Sequence, residues 1–337
     1  MFKDRCLTAL IVASFVGHSV ASEVNVYSAR KDKLIVPLLE QFEDKTGIKV
    51  NLITGKAAAL LSRIKSEGEA SPADVLITVD AGNLHRAKEA GVSQVIRSDE
   101  VEAHIPKAFR DPGMHWVGLT KRARIIFYAS DRVDPAFLST YENLADPRWK
   151  GRICIRSSSN IYNQSLVASL MEANGEKAAE SWAVGIVANM ARKPTGGDTD
   201  QIRAVAAGQC DLAVANTYYY GRLLDSDTVK DQQVVDTVKP FFPNQTDRGA
   251  HVNISGAVVA KHAPNYDEAI QLLEFLVSDQ GQSYYAKINH EFPVDDSVAV
   301  SPVLRSFGSF KTHNLNLSIL GKNNKRAVMV MDRADWQ

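Results

Sequence analysis

The amino-acid sequence predicts an α/β protein of two lobes, joined by β-strands, with a ligand cleft between them. Three observations lead there. The mature part opens with strand-like and helix-like segments in the order β-α-β-α-β, an order that implies a parallel sheet with right-handed crossovers. A second strand-then-helix series restarts at residues 151–155 (GRICI). Between the two lies one long strand-like run, 116–128 (WVGLTKRARIIFY), and its basic middle, Lys121-Arg122-Ala123-Arg124, suits a strand passing from one lobe to the other. The chain has no internal repeat and no low-complexity linker, so strands and not a flexible tether should join the lobes.

The elements follow in order. Lys3 and Arg5, an apolar run over 7–16 and the small residues Ser19-Val20-Ala21 read as a secretory signal peptide cleaved after Ala21. The apolar run is too short to span a bilayer. Cys6 precedes the run, where a lipid-anchor cysteine would follow it, so the mature protein should be untethered. Residues 23–27 (EVNVY) alternate as a strand does. Residues 34–46 carry helical periodicity, ended by Gly47. Residues 48–53 alternate again, 57–67 form a helix stopped at Gly68, and 72–79 (PADVLITV) read as a strand buried on both faces. Ligands in such sheets bind beyond the carboxyl ends of the strands. Those ends are Tyr27-Ser28-Ala29-Arg30, Thr54-Gly55-Lys56 and Asp80-Ala81-Gly82. Further on, 160–170 starts a helix, 211–215 (DLAVA) is a buried strand leading into Asn216-Thr217-Tyr218-Tyr219-Tyr220, 256–260 is a return strand and 266–277 a helix. The lobes are expected at 22–122 plus about 249–299, and at 123–248 plus about 300–337.

Composition narrows the partners. The whole chain has 39 basic and 39 acidic residues, and loss of Lys3, Asp4 and Arg5 with the leader takes the net charge from zero to −1. That balance argues against nucleic acid or an anionic membrane as partner. Two cysteines, Cys154 and Cys210, remain in the mature chain. An exported protein meets an oxidising compartment, so they can pair, while their apolar, strand-like surroundings also fit buried free thiols. Catalytic patterns are missing: the histidines show no HExxH spacing, no GxSxG elbow occurs, and Gly196-Gly197 is a lone pair fit for a turn. The expectation is a monomeric binding protein and not an enzyme.

The run Tyr218-Tyr219-Tyr220 is the most unusual feature. Read as the continuation of a strand, its side chains alternate, so at least one phenol should reach the cleft. Phenolate is a hard anionic donor suited to a hard cation such as Fe(III). A tyrosine pKa of about 10 would fall sharply on coordination. The run alone also fits an aromatic wall for a sugar, a peptide or an organic cation. Tyr162 adds a second phenol, in Ser157-Ser158-Ser159-Asn160-Ile161-Tyr162, at a strand-to-helix turn on the same side of the second sheet. Three phenolates would neutralise a trivalent ion and leave positions that carbonate could fill. Arg30, Lys31 and Arg122 could face that anion, since arginine presents a rigid fork to planar oxyanions. A solute of another kind, such as thiamine, a polyamine or phosphate, is the alternative occupant.

The segments VNVYSAR, TGIKVN, SPADVLITVD, WVGLTKRAR, DPRWKGRICIRSSSNIYNQS, AGQCDLAVANTYYYGRL and YDEAIQLLEFLVSDQGQ resemble the periplasmic ferric-ion-binding proteins, the type II solute receptors of iron ABC importers. The resemblance covers nearly the whole mature chain. It implies the type II periplasmic-binding-protein fold, a periplasmic location, and delivery of iron to an ABC permease driven by its ATPase. It also implies Tyr162, Tyr218 and Tyr219 as metal ligands, Arg122 as an anion contact, and a packing role for Tyr220. Many members carry Ser-Arg-His-Tyr after the first strand. Ala29-Arg30-Lys31-Asp32 stands here instead, which resembles the three-tyrosine subgroup with synergistic carbonate. Asp32 and Asp80 are the remaining candidates to approach the metal from the first lobe.

Overall fold

The computed structural model describes residues 22–337, so the leader at 1–21 lies outside the described residues. Strands β1 (Glu23–Ser28), β2 (Lys49–Thr54) and β3 (Val75–Val79) pair in parallel in the order β2-β1-β3. Helices α1 (Asp32–Thr46) and α2 (Ala57–Glu67) make the crossovers. The period-2 strands and the helical stripe Ile35, Leu38, Leu39, Phe42 give this half its buried face. Gly47 closes α1 in the left-handed conformation at φ 73°, which glycine adopts without a Cβ clash.

Helices α3 (Ala81–Glu89) and α4 (Asp99–His104) lead to β4 (Val117–Ala129), the longest strand. After β5 (Ile153–Cys154) come α5 (Ile161–Asn174), α6 (Glu176–Asn189) and α7 (Asp198–Ala206). Then follow β6 (Leu212–Asn216), α8 (Thr217–Leu224), α9 (Val229–Thr237), β7 (Val238–Phe241) and β8 (Val252–Val259). The chain ends in α10 (Tyr266–Val277), α11 (Asp279–Tyr284), α12 (Pro302–Arg305), α13 (Ser318–Lys322) and α14 (Asn324–Arg333). Among the described residues, no helix is long and apolar enough to cross a membrane.

β4 joins the two halves. Its first part, from Val117 to Ala123, pairs antiparallel with β8, and from Arg124 onward it pairs with β6, and from Ile126 also with β7. β4 thus links the order β2-β1-β3-β8 on its first part to β6-β5 on its second, so the two sheets share this one strand. The basic middle of the run falls at this transfer point, where Arg122 and Arg124 are buried. Gly256 of β8 lies so close to β4 that a Cβ there would run into the Val117 carbonyl oxygen.

Two local expectations change. GRICI makes only a two-residue strand, and Gly151 turns the chain at φ 70° two residues ahead of it. The tyrosine run does not continue β6. It forms the first turn of α8, with Asn216 as the extended residue that starts the helix. Cys154 and Cys210, both buried, are joined by a disulfide beside the parallel β5–β6 pair.

Candidate metal site

Two helix N-termini bring the phenols together. α5 starts at Asn160, whose Oδ1 accepts from the Tyr162 amide at 3.1 Å, and this fixes Tyr162 in the first turn. α8 starts at Asn216 and carries Tyr218 and Tyr219 in its first turn. Consecutive helical residues point about 100° apart. Across that step the Tyr218 and Tyr219 rings still meet, with centroids 4.3 Å apart. Tyr220 turns away, packs against Phe127 with ring centroids 5.1 Å apart and donates to the Val238 carbonyl at 2.7 Å. The Tyr218 and Tyr162 phenol oxygens are 3.3 Å apart.

The electrostatics favour the protonated phenols of Tyr218 and Tyr219 in the ligand-free protein. Burial pushes Tyr218 well above the usual tyrosine range; the neighbouring phenols of Tyr162 and Tyr219 add to this, and Arg122 opposes it. Tyr219 is raised by burial, then by Tyr162 and Asp198, with a hydrogen bond from Tyr218 acting the other way. Cationic faces surround the rings. Arg122 lies 5.5 Å from the Tyr162 ring and Arg156 5.7 Å, while Arg222 lies 4.9 Å from the Tyr218 ring and 5.5 Å from Tyr219.

Arg122 is only 2% exposed, and its Nη1 and Nη2 have no hydrogen-bond partner among the described residues. Its nearest carboxylate, Asp80, is 3.8 Å away. A buried donor left unsatisfied costs about 1–3 kcal/mol, so this guanidinium suits an oxyanion acceptor. Arg30 is also buried beside the cluster, ion-paired to Glu291 at 2.8 Å and 5.5 Å from the Tyr285 ring. Burial works against its charge, but Glu291 and the Tyr285 and Tyr218 phenols outweigh that and raise it above its usual value. Its Nε and Nη1 are likewise without partners. Lys31 is exposed ahead of α1 and makes no ion pair or side-chain hydrogen bond among the described residues, so the structure does not bring it to the phenols.

Asp32 is exposed as well. Asp80 is fully buried, and its carboxylate is already engaged by the Gly82 amide, the Ser165 hydroxyl and the Asn253 amide at 2.6–2.9 Å. Its backbone sits at φ 81°, which is strained for a residue with a side chain. Among the described residues, no group of three or more His, Cys, Asp or Glu is placed to hold a metal ion. Sequence reasoning missed Glu291, Asp198 and Arg222. Glu291 and Asp198 lie 261 and 74 positions from the arginines they bind, and no local pattern marks them. Arg222 had a signal: it lies four residues after Tyr218, one helical turn along the same face.

The comparisons agree with this architecture. The pattern of the family described as bacterial extracellular solute-binding protein matches residues 38–309. Iron uptake protein A1 of Synechocystis is 50% identical over 315 residues, spanning 94% of this chain and 88% of the relative. The major ferric iron-binding protein of Neisseria meningitidis serogroup B is 31% identical, with 86% of each chain covered. Among solved structures, the Trichodesmium protein IdiA (FutA) in complex with iron and citrate superposes with a TM-score of 0.91 at 52% identity, covering 94% of this chain and all of that one. Mannheimia haemolytica ferric iron-binding protein A in an open conformation gives 0.87 at 41% identity, covering 94% and 99%. The fold is the type II periplasmic-binding-protein fold, and these relatives are transport receptors and not enzymes. By its family pattern and by identity along nearly its whole length, the chain belongs to the bacterial extracellular solute-binding proteins.

Proposed function

We propose that this protein is the substrate-binding component of an iron ABC importer, which captures Fe(III) in the periplasm and passes it to a membrane permease and its ATPase. The observation that carries the reading is the phenol cluster, with Tyr218 and Tyr162 oxygens 3.3 Å apart and the Tyr219 ring packed against Tyr218. Tyr162, Tyr218 and Tyr219 hold the ion as phenolates. Because the free Tyr218 and Tyr219 phenols are held neutral, capture releases protons, and affinity falls as pH falls. The residual positive charge of Arg122, with Arg30 behind it, faces a synergistic oxyanion. Carbonate fits that role: it would supply oxygen donors to the metal and acceptors to the unpartnered guanidinium nitrogens. The iron-and-citrate relative makes citrate the second candidate for the same position.

The two lobes, 22–122 with about 249–299 and 123–248 with about 300–337, close over the ion. The transfer of β4 from β8 to β6, between Ala123 and Arg124, falls one residue from that boundary. Phenols and arginines arrive from opposite sides of it, Tyr162 and Tyr218 from one lobe and Arg30 and Arg122 from the other. Metal-stripped mature protein titrated with ferric salt tests the reading. A visible phenolate-to-iron band saturating at one equivalent, with net proton release and enhancement by bicarbonate, is expected. Iron lost on desalting, with no band, overturns it.

A further inference from the structure

The phenols approach one another although they stand on two helices that are far apart in sequence. Something must hold those helix ends in place before any ligand arrives. The structure contains such a device on β4. The Arg124 guanidinium is 2% exposed and spends both terminal nitrogens on the two helix starts. Its Nη2 donates to Asn163 Oδ1 at 2.6 Å, the residue immediately after Tyr162. Its Nη1 donates to Asn216 Oδ1 at 3.1 Å, the residue that starts the helix of Tyr218 and Tyr219. Asp198 completes the arrangement. Its Oδ2 accepts from Arg124 Nη1 at 3.0 Å and from the Asn216 backbone amide at 2.9 Å. Asn163 then donates to the Arg156 carbonyl at 2.8 Å, which fixes the loop ahead of Tyr162.

We propose that Arg124, held by Asp198, is the positioning residue of the iron site: it sets the spacing between the Tyr162 helix and the Tyr218–Tyr219 helix. This rests on the tyrosinate reading above. A planar guanidinium can bridge two side-chain amides at fixed angles, which an ammonium cannot do. Arg124 sits where β4 begins to pair with β6, so the clamp is anchored to the strand that joins the two halves. The arrangement also explains an otherwise costly feature, a buried arginine–aspartate pair. Such pairs contribute little net stability, and here the pair orders the residues adjoining the phenols.

The test uses the full mature protein with Arg124→Lys and, as a second variant, Asp198→Asn. Ferric citrate is the probe, with free citrate as competitor. Each variant is read three ways: thermal midpoint without iron, affinity for iron, and position and intensity of the visible band at saturating iron. Residues that orient metal ligands typically change affinity by about 10- to 100-fold when replaced. The expected result is a loss of that size in at least one folded variant, with a shifted or weakened band that excess iron does not restore. If folded variants lose thermal stability but keep the wild-type band and affinity, Arg124 is merely structural and the proposal fails. Should Arg124→Lys not fold, Asp198→Asn alone decides by the same readings. Should neither fold, the loss of the whole structure and not of one spacing also counts against a positioning role. A wild-type protein without a visible band sinks the tyrosinate reading itself, a different outcome from a wild-type band that the variants leave unchanged.

Discussion

Replacing Arg122 by glutamine separates the anion from the phenols as sources of affinity. The guanidinium is buried and its Nη1 and Nη2 have no acceptor among the described residues. Asp80 at 3.8 Å is beyond hydrogen-bond reach. Two charge-assisted hydrogen bonds to an oxyanion are worth about 1.5–3 kcal/mol each, so their loss removes about 3–6 kcal/mol. That corresponds to roughly 100- to 20,000-fold in iron affinity in the presence of the anion. In the ligand-free protein the effect is smaller. Asp80 keeps its bonds from Gly82, Ser165 and Asn253, although its carboxyl, already raised by burial, loses the cation that opposes the rise. The assay is competition against citrate with and without added bicarbonate, following the visible band. Arg122→Gln should bind iron weakly and equally in both conditions. Wild-type affinity with undiminished bicarbonate enhancement would refute the assignment of Arg122 to the anion.

Three further outcomes follow from the same structure. Tyr220→Phe removes the hydrogen bond to the Val238 carbonyl and should cost about 1 kcal/mol in denaturant unfolding while leaving the iron band intact. Loss of that band would mean that the third tyrosine, and not the first two, faces the metal. Reduction of the Cys154–Cys210 disulfide opens a loop with a sequence separation of 56. Chain entropy puts the loss at about 4 kcal/mol, seen as a lower thermal midpoint in reductant, and an unchanged midpoint would contradict it. His251 is buried, and burial, then His313 and the nearby arginines, hold its pKa well below the usual histidine value. A depressed folded pKa gives stability that is present above the unfolded value of about 6.5 and is lost as pH falls below it. Thermal midpoints of the iron-free protein should therefore drop between neutral pH and pH of about 5, and His251→Gln should shallow that slope. An identical slope in the variant would remove His251 from the account.

Much of the scaffold was legible because its signals are local. The stripe over α1 and the left-handed Gly47 that ends it stand within one segment, and the alternation of EVNVY is visible in five residues. The long run with a basic middle marked β4, which pairs with β8 over its first part and with β6 and β7 over its second. The tyrosine run misled because tyrosine favours strands. What starts a helix there is Asn216, held by Asp198 and Arg124 from elsewhere in the chain. The same distance in sequence hid the Arg30–Glu291 pair, which withdraws one arginine nitrogen from any ligand. Lys31, adjacent to Arg30, looked equivalent on paper. Arg30 is buried two residues past the end of β1, and Lys31, the next residue, lies in solvent.

The most direct measurement is the visible absorption of the Tyr218→Phe, Tyr219→Phe double variant, stripped of metal and titrated with ferric citrate in bicarbonate beside the wild type. The account predicts a one-to-one band in the wild type and none in the folded variant, whose iron is lost on desalting. A variant that retains iron and the same band would place the metal on other residues and contradict it.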